Sequence, residues 1–319
     1  MYAIGVDIGG TKIAAGVVDD EGRILAKTRR DTATRDSSSV DRGVIEACRE
    51  LAASFEIGAV GLVAPGFVSS DQRTVMFTPN LPWRDHPLRD NVAAALDLDV
   101  PIVVENDANA AAWAEFRFGA GRDVDDMMLQ TIGTGLGCGL VVDGRLLRGA
   151  WGVAAEAGHL RVVPNGHQCG CGLRGCWEQY ASGNALVRNA RVAMETRRGE
   201  AAALLDLCDG EPALLQGPSV TLAAQQGDPL AVELLAELGT WIGEGAAAVG
   251  TVVDPALVVI GGGVAAAGDL LLAPARAGFL AQLSGRGHRP VAAIEMASMG
   301  NDAGLVGAAD LARVLRGAA

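Results

Sequence analysis

The feature of this sequence that most restricts its fold is an internal repeat of a strand, a glycine turn and a second strand. The segment LQTIGTGLGCGLVVDGRLL, residues 129–147, has the same pattern as GVDIGGTKIAAGVVDDEGRIL, residues 5–25, with Ile132 aligned on Ile8. Repetition of a supersecondary unit indicates duplication of the structure that contains it. The repeat therefore predicts an α/β fold of two lobes, each built on a β-meander.

Length and composition agree with two packed lobes. The 319 residues are half apolar and include 43 glycines, which favours a close-packed α/β protein over a disordered chain. A final predicted helix at residues 303–315 crosses back to the first lobe. The expected domains are therefore a small lobe of residues 1–108 and 303–319, and a large lobe of residues 109–302.

Hydrophobic periodicity and turn residues predict the elements between the two copies of the repeat and after the second copy. Strands are predicted at residues 57–64, 101–105 and 291–296, helices at 40–55, 88–96, 108–118, 177–197, 230–253 and 270–282, and a loop at 206–218.

The charge and the N-terminus narrow the possible partners and location. A net charge of −12 disfavours nucleic acid and anionic membranes as partners. The first residues, MYAIGVDIGG, have no basic region before an apolar segment, and no apolar run reaches the roughly 18 residues that cross a membrane. Six cysteines without an evident pairing pattern agree with a reducing compartment. We expect a soluble, cytoplasmic enzyme.

One histidine and three cysteines lie close together in the stretch EAGHLRVVPNGHQCGCGLRGCWE, residues 156–178. The four are His159, Cys169, Cys171 and Cys176. One His with three Cys is a ligand set of closed structural zinc sites, and the neighbouring glycines allow the loop to fold back on itself. Reduced thiols in a flexible loop are the alternative. The stretch predicts a structural Zn²⁺ site.

Two carboxylates, Glu156 and Glu178, flank the predicted metal ligands. Carboxylates held rigidly beside a metal loop suit a ligand with many hydroxyl groups. They can instead hydrogen-bond to the zinc ligands and orient them. The sequence leaves both interpretations open.

The first glycine turn predicts a phosphate site. Its residues are Gly9, Gly10, Thr11 and Lys12, and backbone amides of such a turn can cradle phosphate oxygens. The Walker A pattern is absent from the turn, and a Gly-Gly hairpin can also serve only to reverse the chain. Asp7, at the end of the preceding strand, can hold Mg²⁺ directly or through water.

Two more glycine clusters extend the predicted nucleotide site. Thr134 and Gly135, in the second copy of the repeat, are predicted to form a second phosphate-facing turn. Gly261, Gly262 and Gly263 follow a predicted buried strand and precede a predicted helix, so a chain break there can admit an adenine ring.

Asp107 stands where a predicted strand gives way to a helix, and two roles suit it. It can cap the helix, or it can act as a general base at the carboxyl end of a strand, facing the crevice between the lobes. Asn80, in the predicted loop 78–83, can hydrogen-bond a hydroxyl, although Asn in turns is more often structural.

Six motifs, in order along the chain, resemble those of the ROK family. They are DIGGTK at 7–12, END at 105–107, TIGTGLG at 131–137, EAGH at 156–159, CGCGLRGCWEQYASG at 169–183 and IGGG at 260–263. The resemblance covers essentially the whole chain. The EAGH and cysteine motifs are specific to that family, whereas the glycine turns occur across the actin, hexokinase and Hsp70 superfamily. The resemblance implies a two-lobed, actin-like ATPase fold of the RNase H-like type.

The resemblance also implies an activity and a set of site residues. The implied reaction transfers the γ-phosphate of ATP, with Mg²⁺, to the 6-hydroxyl of glucose, with Asp107 as the base. The implied sugar-binding residues are Gly66, Asn80, Asn106, Asp107, Glu156, His159 and Glu178, where His159 uses one ring nitrogen for zinc and the other for the sugar. The implied ATP-binding residues are Asp7, Gly9, Gly10, Thr11, Lys12, Thr134, Gly135, Gly261, Gly262 and Gly263.

Several alternatives stay open at this point. N-acetylmannosamine, N-acetylglucosamine, mannose and fructose are rival acceptors, and polyphosphate is a rival phosphate donor. The alternative to an enzyme is a regulator that binds sugar as a signal and has no catalytic activity. ROK repressors carry an N-terminal helix-turn-helix, whereas this sequence starts at its first strand, and a sensor needs neither Asp107 nor two phosphate turns. Family likeness further implies a homodimer or homotetramer.

Overall fold

A computed structural model gives the fold of this chain for residues 1–32 and 36–318, with side chains described as far as residue 314. Its first half contains β1 (Tyr2–Ile8), β2 (Lys12–Val18), β3 (Ile24–Asp31), α1 (Ser37–Ala52), β4 (Ile57–Ala64), β5 (Phe67–Val68), β6 (Val75–Phe77), β7 (Arg84–His86), α2 (Leu88–Leu96), β8 (Ile102–Asn106) and α3 (Asp107–Phe118).

The second half continues the alternation of strands and helices. It contains β9 (Met127–Ile132), β10 (Leu136–Val142), β11 (Arg145–Leu146), α4 (Gly183–Thr196), α5 (Ala202–Asp206), α6 (Gly217–Gln225), α7 (Pro229–Val253), β12 (Leu257–Gly261), α8 (Asp269–Gln282), β13 (Ala293–Met296) and α9 (Ala303–Ala318). Short 3₁₀ turns include Ala157–His159, Trp177–Gln179 and Gly263–Ala267.

Two five-stranded sheets have the same topology. Their strand orders are β3-β2-β1-β4-β8 and β11-β10-β9-β12-β13. In the first sheet β2 is antiparallel to β1 and β3, while β4 is parallel to β1 and β8. In the second sheet β12 is parallel to β9 and β13, and β10 is antiparallel to β11. The duplication and the α/β class predicted from the repeat are confirmed.

The chain packs into two compact units. One comprises residues 1–123, 139–155 and 298 onward, and the other comprises residues 124–138 and 156–297. Helix α3 belongs to the first unit, as does α9. The lobe boundaries expected from the sequence, after residues 108 and 302, stay a prediction.

Helix α9 closes the core of the first unit against β1 and β4. Gly5 and Gly61 stand side by side in the register of these strands. A Cβ atom at Gly5 would lie 1.9 Å from the carbonyl oxygen of Leu305, and one at Gly61 would lie 1.9 Å from that of Ala308. Side chains at these two positions would therefore push the C-terminal helix off the sheet.

One helix predicted in the second unit has the wrong bounds, and two helices there, α5 and α6, were not predicted. The helix predicted at 177–197 is interrupted, because Ser182 starts a new helix by accepting a hydrogen bond from the Ala185 N–H. The predicted loop 206–218 is confirmed apart from its ends and a 3₁₀ turn at Pro212–Leu214, but helix α6 was not predicted; Pro218 occupies its first turn, as proline often does. In contrast, β4 and α2 have the predicted bounds. Within the described part of the chain, every helix is too short or too polar to span a membrane.

Candidate active site and metal centre

The carboxyl ends of three parallel strands gather predicted site residues at one edge of the first sheet. Asp7 lies near the end of β1, Gly66 follows β4, and Asp107 follows β8. The carboxyl edge of a parallel sheet is where α/β proteins place their ligands. A Cβ atom at Gly10 would be 3.3 Å from the Cβ of Asn80, so the first glycine turn approaches the same edge.

Asp107 is the first residue of α3 and does not cap it. The cap is Asn106, whose Oδ1 accepts the Asn109 N–H at 3.0 Å, so the capping role suggested for Asp107 is wrong by one residue. The Oδ1 of Asp107 accepts the adjacent Ala108 N–H at 2.9 Å. The helix start therefore does not depend on the Asp107 side chain.

The carboxylate of Asp107 can be reached by solvent but is closely surrounded by protein. Desolvation raises its pKa to about 6, and the negative charge of Asp7 contributes in the same direction. Burial likewise raises the pKa of Asp7, while the positive charges of Lys12 and Lys27 oppose the shift. A carboxylate with a pKa near 6 can accept a proton at neutral pH more readily than an ordinary aspartate.

Asn106 and Gly66 are joined by a hydrogen bond. The Nδ2 amide of Asn106 donates to the Gly66 carbonyl at 2.9 Å. Gly66 has φ +102, and a Cβ atom there would lie 2.2 Å from the Phe77 carbonyl, so only glycine fits. Both residues thus shape the edge beside Asp107, and both ends of the Asn106 amide already have protein partners.

The first glycine turn is a tight hairpin. The Gly9 N–H donates to the Lys12 carbonyl at 2.9 Å, and the Thr32 hydroxyl donates to the Gly9 carbonyl at 2.7 Å. Thr11 and Lys12 are exposed. The Thr32 side chain therefore hydrogen-bonds to the backbone of the turn. The Thr11 and Lys12 side chains, which lie beside the predicted phosphate site, are exposed to solvent.

The four predicted metal ligands meet in the second unit. The ligand atoms of His159, Cys169, Cys171 and Cys176 all lie within 4.8 Å of one another. The Sγ atoms of Cys171 and Cys176 are 3.6 Å apart, and Cys169 Sγ is 3.7 Å from His159 Nδ1. Sulfur ligands of a tetrahedral zinc ion lie about 3.7 Å apart, given Zn–S distances of about 2.3 Å. These side chains can hold one structural Zn²⁺ ion.

Glycine conformations bring the three thiols together. Gly172 and Gly175 have φ values of +92 and +80, which L-residues rarely adopt. A Cβ atom at Gly175 would also lie 1.6 Å from the Val163 carbonyl, whereas one at Gly170 would have no atom within 4 Å. Gly175 is therefore the glycine on which the loop most depends.

Glu178 contacts both the cysteine cluster and the second glycine turn. Its Oε1 accepts from the Cys169 thiol at 3.3 Å and lies 4.0 Å from His159 Nδ1. Its Oε2 accepts the Leu136 N–H at 3.4 Å, and a Cβ atom at Gly135 would be 2.6 Å from the same oxygen. Of the two sequence interpretations, contact with the predicted zinc ligands is thus seen for Glu178. Glu156 is exposed and accepts the His159 N–H through its backbone carbonyl at 3.0 Å.

A cavity of about 640 Å³ opens in the second unit beside α4 and α6, which is within the range of small-ligand sites. Its lining includes Gly133, Thr134, Asn184, Thr221, Gln225, Gly263 and Val264. Gly183 approaches the turn closely, donating its N–H to the Gly133 carbonyl at 2.8 Å. Of the glycine-cluster residues predicted to bind ATP, Thr134 and Gly263 therefore line one cavity. Gly135, Gly261 and Gly262 are not part of this lining.

Sequence reasoning missed several residues around these sites. Asn184, Thr221 and Gln225 line the cavity but lie on helices whose start or existence was not predicted. Glu105 is buried at the end of β8 with Arg148 against it. An acid at the end of an otherwise apolar strand was the signal that could have given Glu105 a role beyond its place in the END motif, because a buried carboxylate needs partners.

The duplicated sheets and the glycine turns at their edges define an actin-like α/β protein of the sugar-kinase class. A family model described as ROK family matches residues 3–314. The chain belongs to the ROK family.

Individual relatives agree with this assignment. The glucokinase of Streptomyces coelicolor is 49% identical over 310 residues, covering 97% of each chain. The crystal structure of a ROK family glucokinase from Streptomyces griseus, in complex with glucose and AMPPNP, matches with a TM-score of 0.88 and 48% identity, covering 98% of this chain and 100% of that one. The N-acetylmannosamine kinase of Citrobacter koseri is 37% identical over 320 residues, covering 98% of this chain and 99% of that one.

Proposed function

We propose that this protein is an ATP-dependent glucokinase, which transfers the γ-phosphate of ATP to the 6-hydroxyl of glucose to give glucose 6-phosphate. The observation that carries the proposal is the Asp107 carboxylate, which follows β8 at the carboxyl edge of the first sheet and whose pKa is raised to about 6 by burial and by the charge of Asp7. The similarity to glucokinases from Streptomyces, one of them bound to glucose and AMPPNP, supports the choice of substrates.

Asp107 is the proposed general base. It accepts the proton of the 6-hydroxyl as that oxygen attacks the γ-phosphorus, and the bond from phosphorus to the β-γ bridging oxygen breaks to release ADP. Proton acceptance by a positioned base contributes on the order of 10²–10⁴ in rate. The remaining catalysis comes from alignment and charge neutralisation, which dominate phosphoryl transfer.

The other site residues are proposed to bind rather than react. Gly66, Asn80, Asn106, Glu156, His159 and Glu178 are the proposed partners of the sugar hydroxyls. Asp7, Gly9, Gly10, Thr11, Lys12, Thr134, Gly135, Gly261, Gly262 and Gly263 are the proposed partners of Mg²⁺-ATP. The contact of His159 Nδ1 with Cys169 supports a role for Nδ1 toward zinc, which leaves Nε2 for a sugar hydroxyl. The zinc ion itself supplies rigidity to the loop.

N-acetylmannosamine is the second candidate acceptor. The kinase from Citrobacter koseri, which is similar over nearly the whole chain, is the observation that favours it. The identity to that kinase is 37%, compared with 49% to the Streptomyces coelicolor glucokinase, so glucose is the acceptor that we propose.

A coupled ADP-release assay tests acceptor and donor together. Glucose, mannose, fructose, N-acetylglucosamine and N-acetylmannosamine are each supplied with ATP, and glucose is also supplied with polyphosphate while glucose 6-phosphate is measured. We expect the highest kcat/KM with glucose and ATP. A higher value with an N-acetylated sugar, or with polyphosphate, would replace the corresponding substrate in the proposal, and no hexose-dependent turnover would reject it.

We further propose a homodimer or homotetramer that acts in the cytoplasm. Family likeness supports the assembly. Light scattering on the purified protein tests it, and a mass equal to one chain at micromolar concentration would refute it.

A further inference from the structure

We propose that the ion pair between buried Glu105 and partly exposed Arg148 positions the Asp107 carboxylate, which makes both of them positioning residues. The inference rests on the proposed function, in which Asp107 is the base. It concerns Glu105, which stands in the END motif but was given no role there, and Arg148, which lies outside the six motifs.

Glu105 is buried, and protein groups occupy all of its hydrogen-bonding positions. The residue is only 2% exposed at the end of β8. Its carboxylate accepts four hydrogen bonds: from the Asn106 N–H at 2.9 Å, Asn109 Nδ2 at 3.0 Å, Arg148 Nε at 2.6 Å and Gln72 Nε2 at 3.2 Å. With two bonds to each oxygen, the carboxylate is saturated and has no role as a ligand for substrate.

Two of the four donors belong to the first turn of α3. Asn106 and Asn109 lie on either side of Asp107 in the sequence, and both bond to Glu105 Oε1. Asn106 also caps the helix and reaches the Gly66 carbonyl. The backbone that carries Asp107 is therefore fixed from both sides, and an error of about 1 Å in a reacting group can cost a hundredfold in rate.

The other two donors attach this turn to separate parts of the first unit. Gln72 lies in the turn between β5 and β6 and accepts the Val104 N–H through its carbonyl at 2.9 Å, so it is docked on β8 by backbone and side chain. Gln72 has φ +57, an unfavourable backbone angle for this residue type. Arg148 comes from the segment after β11. Glu105 thus joins three segments at the base of α3.

The burial of the Glu105 carboxylate explains why a cation, Arg148, is paired with it. A carboxylate that is buried costs free energy unless a partner compensates it, and loss of the partner leaves an uncompensated charge. The Arg148 side chain supplies that compensation while remaining 26% exposed, whereas the Glu105 side chain is 3% exposed. Removing either charge loosens the turn that holds Asp107.

A second buried acid in the same unit provides a matched control. Asp310, on α9, is also 2% exposed. It accepts from Trp113 Nε1, Arg117 Nε and Arg313, so it too fixes α3, but in the second half of the helix and not at the turn that carries Asp107. A purely structural role of buried acids predicts equal effects of Glu105→Gln and Asp310→Asn on catalysis, whereas the positioning role predicts unequal effects.

The experiment measures kcat and KM for glucose in Glu105→Gln, Arg148→Met, Arg148→Lys and Asp310→Asn, with circular dichroism to verify folding. We expect kcat to fall roughly ten- to hundredfold in Glu105→Gln and Arg148→Met, with the KM for glucose changed less than about threefold. Arg148→Lys should recover part of the loss because it restores the charge. Asp310→Asn should keep kcat within about twofold.

A double variant distinguishes positioning from a general loss of structure. If Glu105 acts through Asp107, adding Glu105→Gln to Asp107→Asn should cost no further kcat. Three results would overturn the inference. Glu105→Gln could lower kcat as much in the Asp107→Asn protein as in the wild-type protein. The single variants at Glu105 and Arg148 could keep the wild-type kcat, or Asp310→Asn could lose as much kcat as they do. If Glu105→Gln does not fold, the kcat of Arg148→Met alone tests the inference, because the partly exposed Arg148 side chain can be replaced with less effect on folding. Wild-type protein without glucose-dependent turnover would reject the proposed function itself, and the inference with it.

Discussion

Asp107 and Asp90 show how position sets the chemistry of one residue type. Both lie in the first turn of a helix. Asp90 is paired with Arg73 and Arg89, and hydrogen bonding to Arg73 is the main cause of its lowered pKa. Among the described residues no Lys or Arg forms an ion pair with Asp107, and desolvation raises its pKa to about 6. The difference marks Asp107 as a candidate base and Asp90 as an ordinary surface acid.

The raised pKa of Asp107 predicts the pH dependence of the reaction. A base must be deprotonated to act, so activity is retained above a pKa of about 6 and lost below it. At one pH unit below its pKa roughly a tenth of the carboxylate is ionised, and kcat/KM for glucose should fall about tenfold for each further unit.

Initial rates between pH 5 and pH 8 test this prediction, with circular dichroism at each pH as the control for folding. Asp90→Asn should show the same profile as the wild-type protein. A flat profile down to pH 5 in folded protein would contradict the assignment of Asp107.

At the scale of elements, the cysteine loop depends on one glycine more than on the others. Gly175→Ala introduces a methyl group 1.6 Å from the Val163 carbonyl at a φ of +80, so we expect the loop to lose zinc and its sugar affinity together. Gly170→Ala is the matched control, because a Cβ atom there meets no atom within 4 Å. Metal analysis and the KM for glucose measure the two effects. Retention of zinc by Gly175→Ala, or loss of it from Gly170→Ala, would refute this account of the loop.

The packing of α9 on the first sheet gives a prediction about stability. Gly61→Ala would place a methyl group 1.9 Å from the Ala308 carbonyl, and overpacking of this kind costs about 1–3 kcal/mol. Thermal unfolding should therefore occur at a lower temperature in Gly61→Ala. Gly199→Ala, in a turn where a Cβ atom meets nothing within 4 Å, should unfold with the wild-type protein. Equal unfolding temperatures in all three proteins would show that α9 is not held tightly against β4.

At the scale of the whole molecule, the repeat predicted the framework because a duplicated pattern constrains topology. The buried strand β4 and the helix α2 were placed correctly from periodicity. The four predicted zinc ligands come together in the structure, and they could be recognised because their chemistry and spacing lie within a short stretch. These are features in which local sequence and final structure agree.

Other features of the site depend on tertiary contacts, which local sequence patterns do not reveal. Asn106 caps α3 because its backbone is extended and its side chain accepts the Asn109 N–H, whereas the sequence alone offers two adjacent residues of types that both favour the position. The partners of Glu105, at residues 72 and 148, are distant in the sequence, so no pattern could have united them. The cavity residues Asn184 and Gln225 became visible only when α4 and α6 were in place.

Glucose-dependent ADP release by Asp107→Asn, compared with that by the wild-type protein, tests the central claim most directly. We expect the variant to fold, to retain glucose binding in a calorimetric titration, and to release ADP about 10²–10⁴ times more slowly. Turnover close to that of the wild-type protein would contradict the assignment of Asp107 as the base that activates the 6-hydroxyl of glucose.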